Sequence, residues 1–365
     1  MRTLSLIVTL GVSIIGCGTA DNMSYDAPED EGMNTTETDD DGDDGDDGDD
    51  GDGDDGDDGD GSADGDDDDD VTNPVDTGTP ETNRDPAALG DWSVSMLSST
   101  EVNAEIYLPD GEGPFPLVLF SPGFQLNPVD YRSYAEHLAS WGYITALVNF
   151  EDSLFGGPTH NEMQLTLGEM LDWFTADPDV LEGTADTSSV VLMGHSMGGK
   201  LSLLRASYDS RVDLIVGVDP VDAAPPFGGS DADYPSVAPE RMASITAPML
   251  LIGEQNNATG GFACAPEGEN FLSYFESAAG PALEVDFRTA SHMSFVDNPS
   301  CLVCLACPAG TDDPAVTKEH VRAITTAFLE SEIHDEDWAS DWLRGGGLAE
   351  IESSGQISTR TKNGF

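Results

Sequence analysis

A mostly parallel β-sheet flanked by helices on both faces, an α/β class fold in a single domain, is predicted for this chain on three observations. Short continuous apolar runs alternate with stretches of helical spacing from Asp91 to Leu329. One of those runs leads into Gly194-His195-Ser196-Met197-Gly198-Gly199, and another helical stretch follows at once. The chain before residue 90 lacks the apolar content that a core requires.

Residues 1–17 read as an export leader. Arg2 supplies the positive start, Leu4–Ile15 is apolar, and Ile14-Ile15-Gly16-Cys17 ends the segment. The run is too short to cross a bilayer, which takes roughly 20 residues. Small and apolar residues directly before a cysteine resemble the bacterial lipobox, so lipidation of Cys17 and membrane attachment through it are expected. Gly18, not Asp, follows that cysteine, which by analogy directs such a cell-envelope lipoprotein to the outer membrane.

Residues 18–89 read as a disordered acidic linker. Within 39–70, 21 of 32 positions are Asp and the rest are Gly, one Ser and one Ala. Such a tract repels itself and gains backbone freedom from glycine, so it stays solvated and extended. It offers carboxylate oxygens for a weak, diffuse calcium association but lacks the closing Glu of an EF-hand loop. Over the whole chain 71 acidic residues face 13 basic ones, a net charge of −58. Nucleic acid is excluded as a partner, because phosphate binding needs clustered Lys and Arg.

The catalytic domain is expected over 90–333, with 334–365 a tail of no legible role. Val102–Leu108 alternates like a half-buried strand. Pro116–Ser121, Ile144–Asn149, Val190–Met193, Leu214–Val218 and Met249–Ile252 are continuous apolar runs, as in strands covered on both faces. Leu283–Arg288 is a further strand. Helical spacing falls on Tyr131–Trp141, Glu162–Phe174, Met197–Tyr208, Glu269–Ala278 and Ala315–Leu329. Chemistry in such sheets is sought at the carboxyl ends of the strands.

A strand, then G-x-S-x-G, then a helix is the context a nucleophile elbow requires, because the serine must stand on a tight turn above the sheet. Ser196 is therefore the candidate nucleophile. Of the six histidines, His292 follows a strand and precedes the closing helix, from where an imidazole can reach back as base. For the orienting acid, Asp219 sits at a strand's carboxyl end, ahead of Glu254 and Asp222. The oxyanion donors expected are the N–H groups of Met197 and of Phe124, in the loop Ser121-Pro122-Gly123-Phe124-Gln125. Phe124, Met197, Phe227 and Trp173 are candidates to line an apolar site for a hydrophobic ester. This chemistry calls for no metal or organic cofactor.

On these residues the sequence resembles the α/β-hydrolase superfamily, in its branch of chlorophyllases and bacterial polyester hydrolases (cutinase-like and PET-hydrolase-like). Pro122-Gly123-Phe124, Ala139-Ser140-Trp141-Gly142-Tyr143-Ile144 and the elbow ending at Lys200 are similar to chlorophyllases. So are Cys264-Ala265-Pro266 with Asn270-Phe271, and cysteines after the histidine. Gly217-Val218-Asp219-Pro220-Val221-Asp222 matches the family's G-x-D-P-V, which implies Asp219 as the acid. Met197 departs, since chlorophyllase elbows usually carry Arg there, and G-H-S-M-G-G is how polyester hydrolases read. The resemblance implies a serine ester hydrolase; an idle binding module of the same fold, a peptidase and an acyltransferase are the alternatives. Cys264, Cys301, Cys304 and Cys307 are expected to form two disulfides in an exported protein, with three possible pairings; a C-x2-C-x2-C metal site and free thiols are the other readings.

Overall fold

The computed structural model describes residues 84–365, apart from 154–155, 182, 226–228, 261–262 and 300–303. The leader, Cys17, the acidic linker through residue 83, Phe227 and Cys301 lie outside the described residues. In chain order the elements are β1 (Val94–Ser99), β2 (Ala104–Pro109), β3 (Phe115–Ser121), α1 (Arg132–Ser140) and β4 (Ile144–Val148). Next come α2 (His160–Thr175), β5 (Ala185–His195), α3 (Met197–Ala206), β6 (Leu214–Val218), β7 (Met249–Gly253) and α4 (Phe271–Ser277). The chain closes with β8 (Ala282–Phe287), α5 (Pro314–Ile333), α6 (Asp337–Arg344), α7 (Gly346–Ser353) and β9 (Ile357–Lys362).

The strands form one sheet in the order β1-β2-β4-β3-β5-β6-β7-β8-β9. From β4 across β3, β5, β6 and β7 to β8 every pairing is parallel, while β1, β2 and β9 attach antiparallel at the edges. This is the sheet of an α/β-hydrolase fold.

The continuous apolar runs have a direct cause, since successive residues of a strand face opposite sides. Val118, Phe120, Val191, Met193, Val216 and Val218 join one core with Tyr134 and Leu138 of α1 and Ile324 and Phe328 of α5. Leu117, Leu119, Val190, Leu192 and Ile215 join the other with Leu167 of α2, Leu201 of α3 and Tyr274 of α4. Both faces are covered, so β3, β4, β6 and β7 are buried at every position.

Two features depart from the sequence reading. Ahead of β2 lies a further strand, β1, whose VSMLSS is half-exposed, with no continuous apolar run to mark it. The segment 334–365 forms α6, α7 and β9, and β9 pairs along β8 from Ala282↔Lys362 to Phe287↔Ile357. Trp338 packs its ring against Trp141 at 5.7 Å, and Phe365 stacks on Phe328 at 5.9 Å. The tail thus covers a sheet edge that would otherwise expose unpaired N–H and C=O groups.

Candidate active site

The turn between β5 and α3 places Ser196 at the carboxyl end of the central strand. Its backbone is held at φ 55° and ψ −120°, a region that non-glycine residues seldom occupy. Ser196 N–H donates to the Val218 carbonyl of β6 (3.0 Å), which ties the turn to the sheet. The neighbouring glycines are required by close approach. A Cβ at Gly194 would run into the Gly198 backbone, and one at Gly198 into the Ser121 carbonyl.

His292 and Asp219 arrive from the ends of β8 and β6. His292 Nδ1–H donates to Asp219 Oδ2 at 2.6 Å, and its Nε2 lies 2.9 Å from Ser196 Oγ. A carboxylate only accepts, so Nδ1 carries the ring proton and Nε2 is left to accept from the serine hydroxyl. Burial pulls the His292 imidazole down to about 4, so the ring is neutral at neutral pH and its Nε2 lone pair is free to accept. Its backbone N–H donates to Asn257 Oδ1 (2.8 Å), fixing the loop that carries it. Asn257 is a contributor that the sequence reading missed, since nothing local marks a contact across 35 residues.

Both carboxylates weighed as the orienting acid lie here. Asp219 is fully buried; its Oδ2 accepts from His292, and its Oδ1 accepts from the Glu254 N–H (3.3 Å). Glu254 is equally buried, but only its Oε2 is satisfied, by the Asn257 N–H (2.8 Å), while Oε1 has no protein partner. Burial raises both acids: Asp219 is pushed well up although it accepts from two N–H groups, and burial with the Asp219 charge pushes Glu254 up to about 8. With a donor on each of its oxygens, where Glu254 has one on Oε2 alone, Asp219 is the better placed of the two to hold the negative charge. Asp222 lies elsewhere, paired with Lys200 at 3.3 Å and accepting from the Val237 and Ala238 N–H groups.

Linkage makes this testable. Native Glu254 keeps its proton up to about pH 8, while the unfolded chain releases it near 4.5. The native state thus holds the extra proton, and its stability falls as pH rises through that window. Glu254→Gln should match the parent near pH 4.5 and gain on the order of 4 kcal/mol by pH 8. Urea midpoints at pH 5, 7 and 9 check this; parallel curves for the two proteins would refute it.

A second histidine knits the site together. His195 Nε2 lies 3.0 Å from the His292 carbonyl, which can only accept, so that nitrogen donates. Burial holds the ring neutral, and Nδ1 therefore accepts from the Tyr131 hydroxyl at 2.7 Å. Tyr131 in turn accepts from the Gly123 N–H (3.1 Å). This chain links the Gly123 loop, the serine turn and the His292 loop, and it uses up the Gly123 N–H. The Phe124 and Met197 N–H groups have no protein acceptor among the described residues.

Ser196 and His292 open into an apolar pocket of about 170 Å³ whose lining includes Phe124, Met197, Val221, Ala223 and Ala224. Trp173 is not among its residues; its ring packs edge-on against Phe174 and its Nε1–H donates to Glu101. The wall at Ala223 is anchored by Lys200, fully buried, whose Nζ donates to the Asp222 and Ala223 carbonyls at 3.0 and 3.3 Å. The cysteines form another wall. Cys264 pairs with Cys307, tying the loop after β7 to the one after His292, and Cys304 is disulfide-bonded as well. Those sulfurs are thereby withdrawn from metal ligation. Among the described residues the one grouping of three metal-type ligand atoms, within 4.8 Å of one another, is Asp219, Glu254 and His292. Its His292–Asp219 contact is the hydrogen bond given above.

A family model described as Chlorophyllase matches residues 83–344. Chlorophyllase-1, chloroplastic, of Citrus sinensis is 28% identical over 243 residues, covering 62% of this chain and 70% of the relative. Chlorophyllase-2 of Arabidopsis thaliana is 26% identical over 250 residues, covering 63% and 77%. A bis(hydroxyethyl) terephthalate hydrolase of Streptomyces coelicolor is 26% identical over 217 residues, covering 59% and 63%.

Proposed function

The chain belongs to the chlorophyllase family and is a carboxylic ester hydrolase, and on that premise we propose that it works through Ser196, His292 and Asp219 by way of an acyl-enzyme. The observation that carries this reading is the hydrogen-bonded row from Ser196 Oγ through the imidazole to the Asp219 carboxylate, at 2.9 and 2.6 Å.

Ser196 Oγ attacks the ester carbonyl while His292 Nε2 takes its proton. Collapse of the tetrahedral adduct returns that proton to the departing alcohol oxygen and leaves the acyl group on Ser196. Water, activated by the same imidazole, then releases the acid and restores the serine. Asp219 holds the tautomer that leaves Nε2 free and offsets the charge of the transient imidazolium. The Phe124 and Met197 N–H groups receive the developing oxyanion; losing one such donor typically costs roughly 3 kcal/mol.

The apolar lining supports esters with hydrophobic acyl or alcohol parts. The lipobox-like Ile14-Ile15-Gly16-Cys17 and the Asp-Gly tract support display of the domain from a lipid-anchored, acidic spacer. A panel of p-nitrophenyl esters of rising chain length, run beside a peptide amide with Ser196→Ala as control, tests the activity. Ester turnover that depends on Ser196 is expected. Turnover of the peptide in preference to the esters would reassign the class, and turnover of neither would leave a binding module.

A further inference from the structure

The loop between β3 and α1 commits all but one of its backbone N–H groups. Pro122 has none to give. Gly123 N–H donates to the Tyr131 hydroxyl (3.1 Å), Gln125 N–H to Asp152 Oδ2 (2.8 Å) and Leu126 N–H back to the Gly123 carbonyl (3.0 Å). Between these three bonds stands the Phe124 N–H, which has no protein acceptor among the described residues. Gln125 is held at φ 59°, a left-handed conformation that is costly for a residue with a side chain unless its surroundings impose it.

Each bond fixes one peptide plane. The Gly123 carbonyl and the Phe124 N–H belong to the same trans peptide, so they point in opposite directions. Holding that carbonyl toward Leu126 turns the Phe124 N–H outward from the turn. A positive φ at the third residue of a four-residue turn marks the type II form, in which the middle peptide is flipped relative to type I. That peptide carries the Gln125 N–H, and Asp152, half-buried in the loop after β4, receives it. On the other side Tyr131 is fully buried and gives its hydroxyl proton to His195 Nδ1 (2.7 Å), which leaves its oxygen to accept from Gly123. Phe124 itself lines the pocket with Ser196 and His292. An oxyanion donor acts without reorganisation only if its direction is set before the substrate arrives.

We propose that Asp152 and Tyr131 are positioning residues of the reaction: from opposite sides they lock the peptides that flank the Gly123–Phe124 unit, and so aim the Phe124 N–H at the carbonyl oxygen of the bound ester. Neither lines the pocket; both act through the loop backbone. The inference rests on the ester-hydrolase reading of the Ser196 pocket with Phe124 as an oxyanion donor. Without Asp152 the middle peptide can turn over and Gln125 can leave the left-handed region, which swings the Phe124 N–H away.

Oxygen and sulfur esters separate this role from a general loosening of the fold. p-Nitrophenyl butanoate is compared with its thiono analogue, in which sulfur replaces the carbonyl oxygen. Sulfur is a weak hydrogen-bond acceptor, so the thiono ester gains little from an aimed N–H. The readout is the ratio of kcat/KM, oxo over thiono, in which the fraction of folded enzyme cancels. Asp152→Ala and Tyr131→Phe should each lower that ratio by about tenfold or more. Asp152→Asn, whose side-chain oxygen still accepts, should stay within about threefold of the parent. A second measurement reads the same donor without turnover. A trifluoromethyl ketone, whose adduct with Ser196 carries an oxyanion, should bind Asp152→Ala and Tyr131→Phe about tenfold or more weakly, while the matching secondary alcohol binds as it does to the parent. An unchanged ratio and unchanged ketone affinity in either variant would overturn the role given to that residue while the ester-hydrolase reading stands. Failure of the parent to hydrolyse the oxo ester would remove that reading, and this inference with it.

Discussion

Replacing Ser196 with alanine should reduce ester turnover by about 10⁴- to 10⁶-fold in kcat, with the fold intact. The side chain carries the attacking oxygen, and no other hydroxyl among the described residues is hydrogen-bonded to the His292 ring. The loss should not add to that of His292→Ala, because the two act in one proton transfer and neither works without the other. The double variant should therefore be about as slow as either single one. Alanine removes a β-substituent from a backbone held at φ 55°, so stability should change little, and the unfolding midpoint serves as the control. Near-normal turnover by Ser196→Ala would mean that the hydroxyl is not the nucleophile.

The second large effect concerns the acid. Asp219→Asn should lower kcat by about 10⁴-fold, because the amide can present an N–H to His292 Nδ1 and stabilise the tautomer that donates from Nε2. That tautomer cannot take the serine proton. Glu254→Gln should cost far less, within about tenfold, since a protonated Glu254 and a glutamine are both neutral and similar in shape. What Glu254 gives Asp219 is its backbone N–H, which survives the substitution. The comparison is made on kcat with one ester under saturating conditions. The reverse order, with Glu254→Gln inactive and Asp219→Asn active, would move the acid to the end of β7.

Much of this arrangement is visible in the chain before it is folded. Runs such as Leu214–Val218 are apolar at every position because both faces are covered, and they mark the central strands closely. The serine turn is legible because close approach of backbone to backbone leaves only glycine at positions 194 and 198. Edge strands lack that signal. In β9 the sequence ISTRTK is half-exposed and polar, and only pairing with β8 makes it a strand. Residues whose role depends on distant partners were hidden for a related reason. Tyr131 meets His195 across 64 positions and Asn257 meets the His292 backbone across 35. The proton on Glu254 was equally out of reach, since it follows from burial beside Asp219 and not from local sequence. Asp152 is hidden in the same way, because the Gln125 N–H that it holds lies 27 positions back.

As the proposed activated nucleophile of this pocket, Ser196 should be the residue that an electrophilic serine probe modifies. Treatment of the folded protein with a fluorophosphonate, followed by intact mass measurement and peptide mapping, tests it in one step. A single adduct is expected on the peptide carrying Ser196, formed by the parent and absent from Ser196→Ala. No adduct, or an adduct on a different residue that persists in Ser196→Ala, would contradict it.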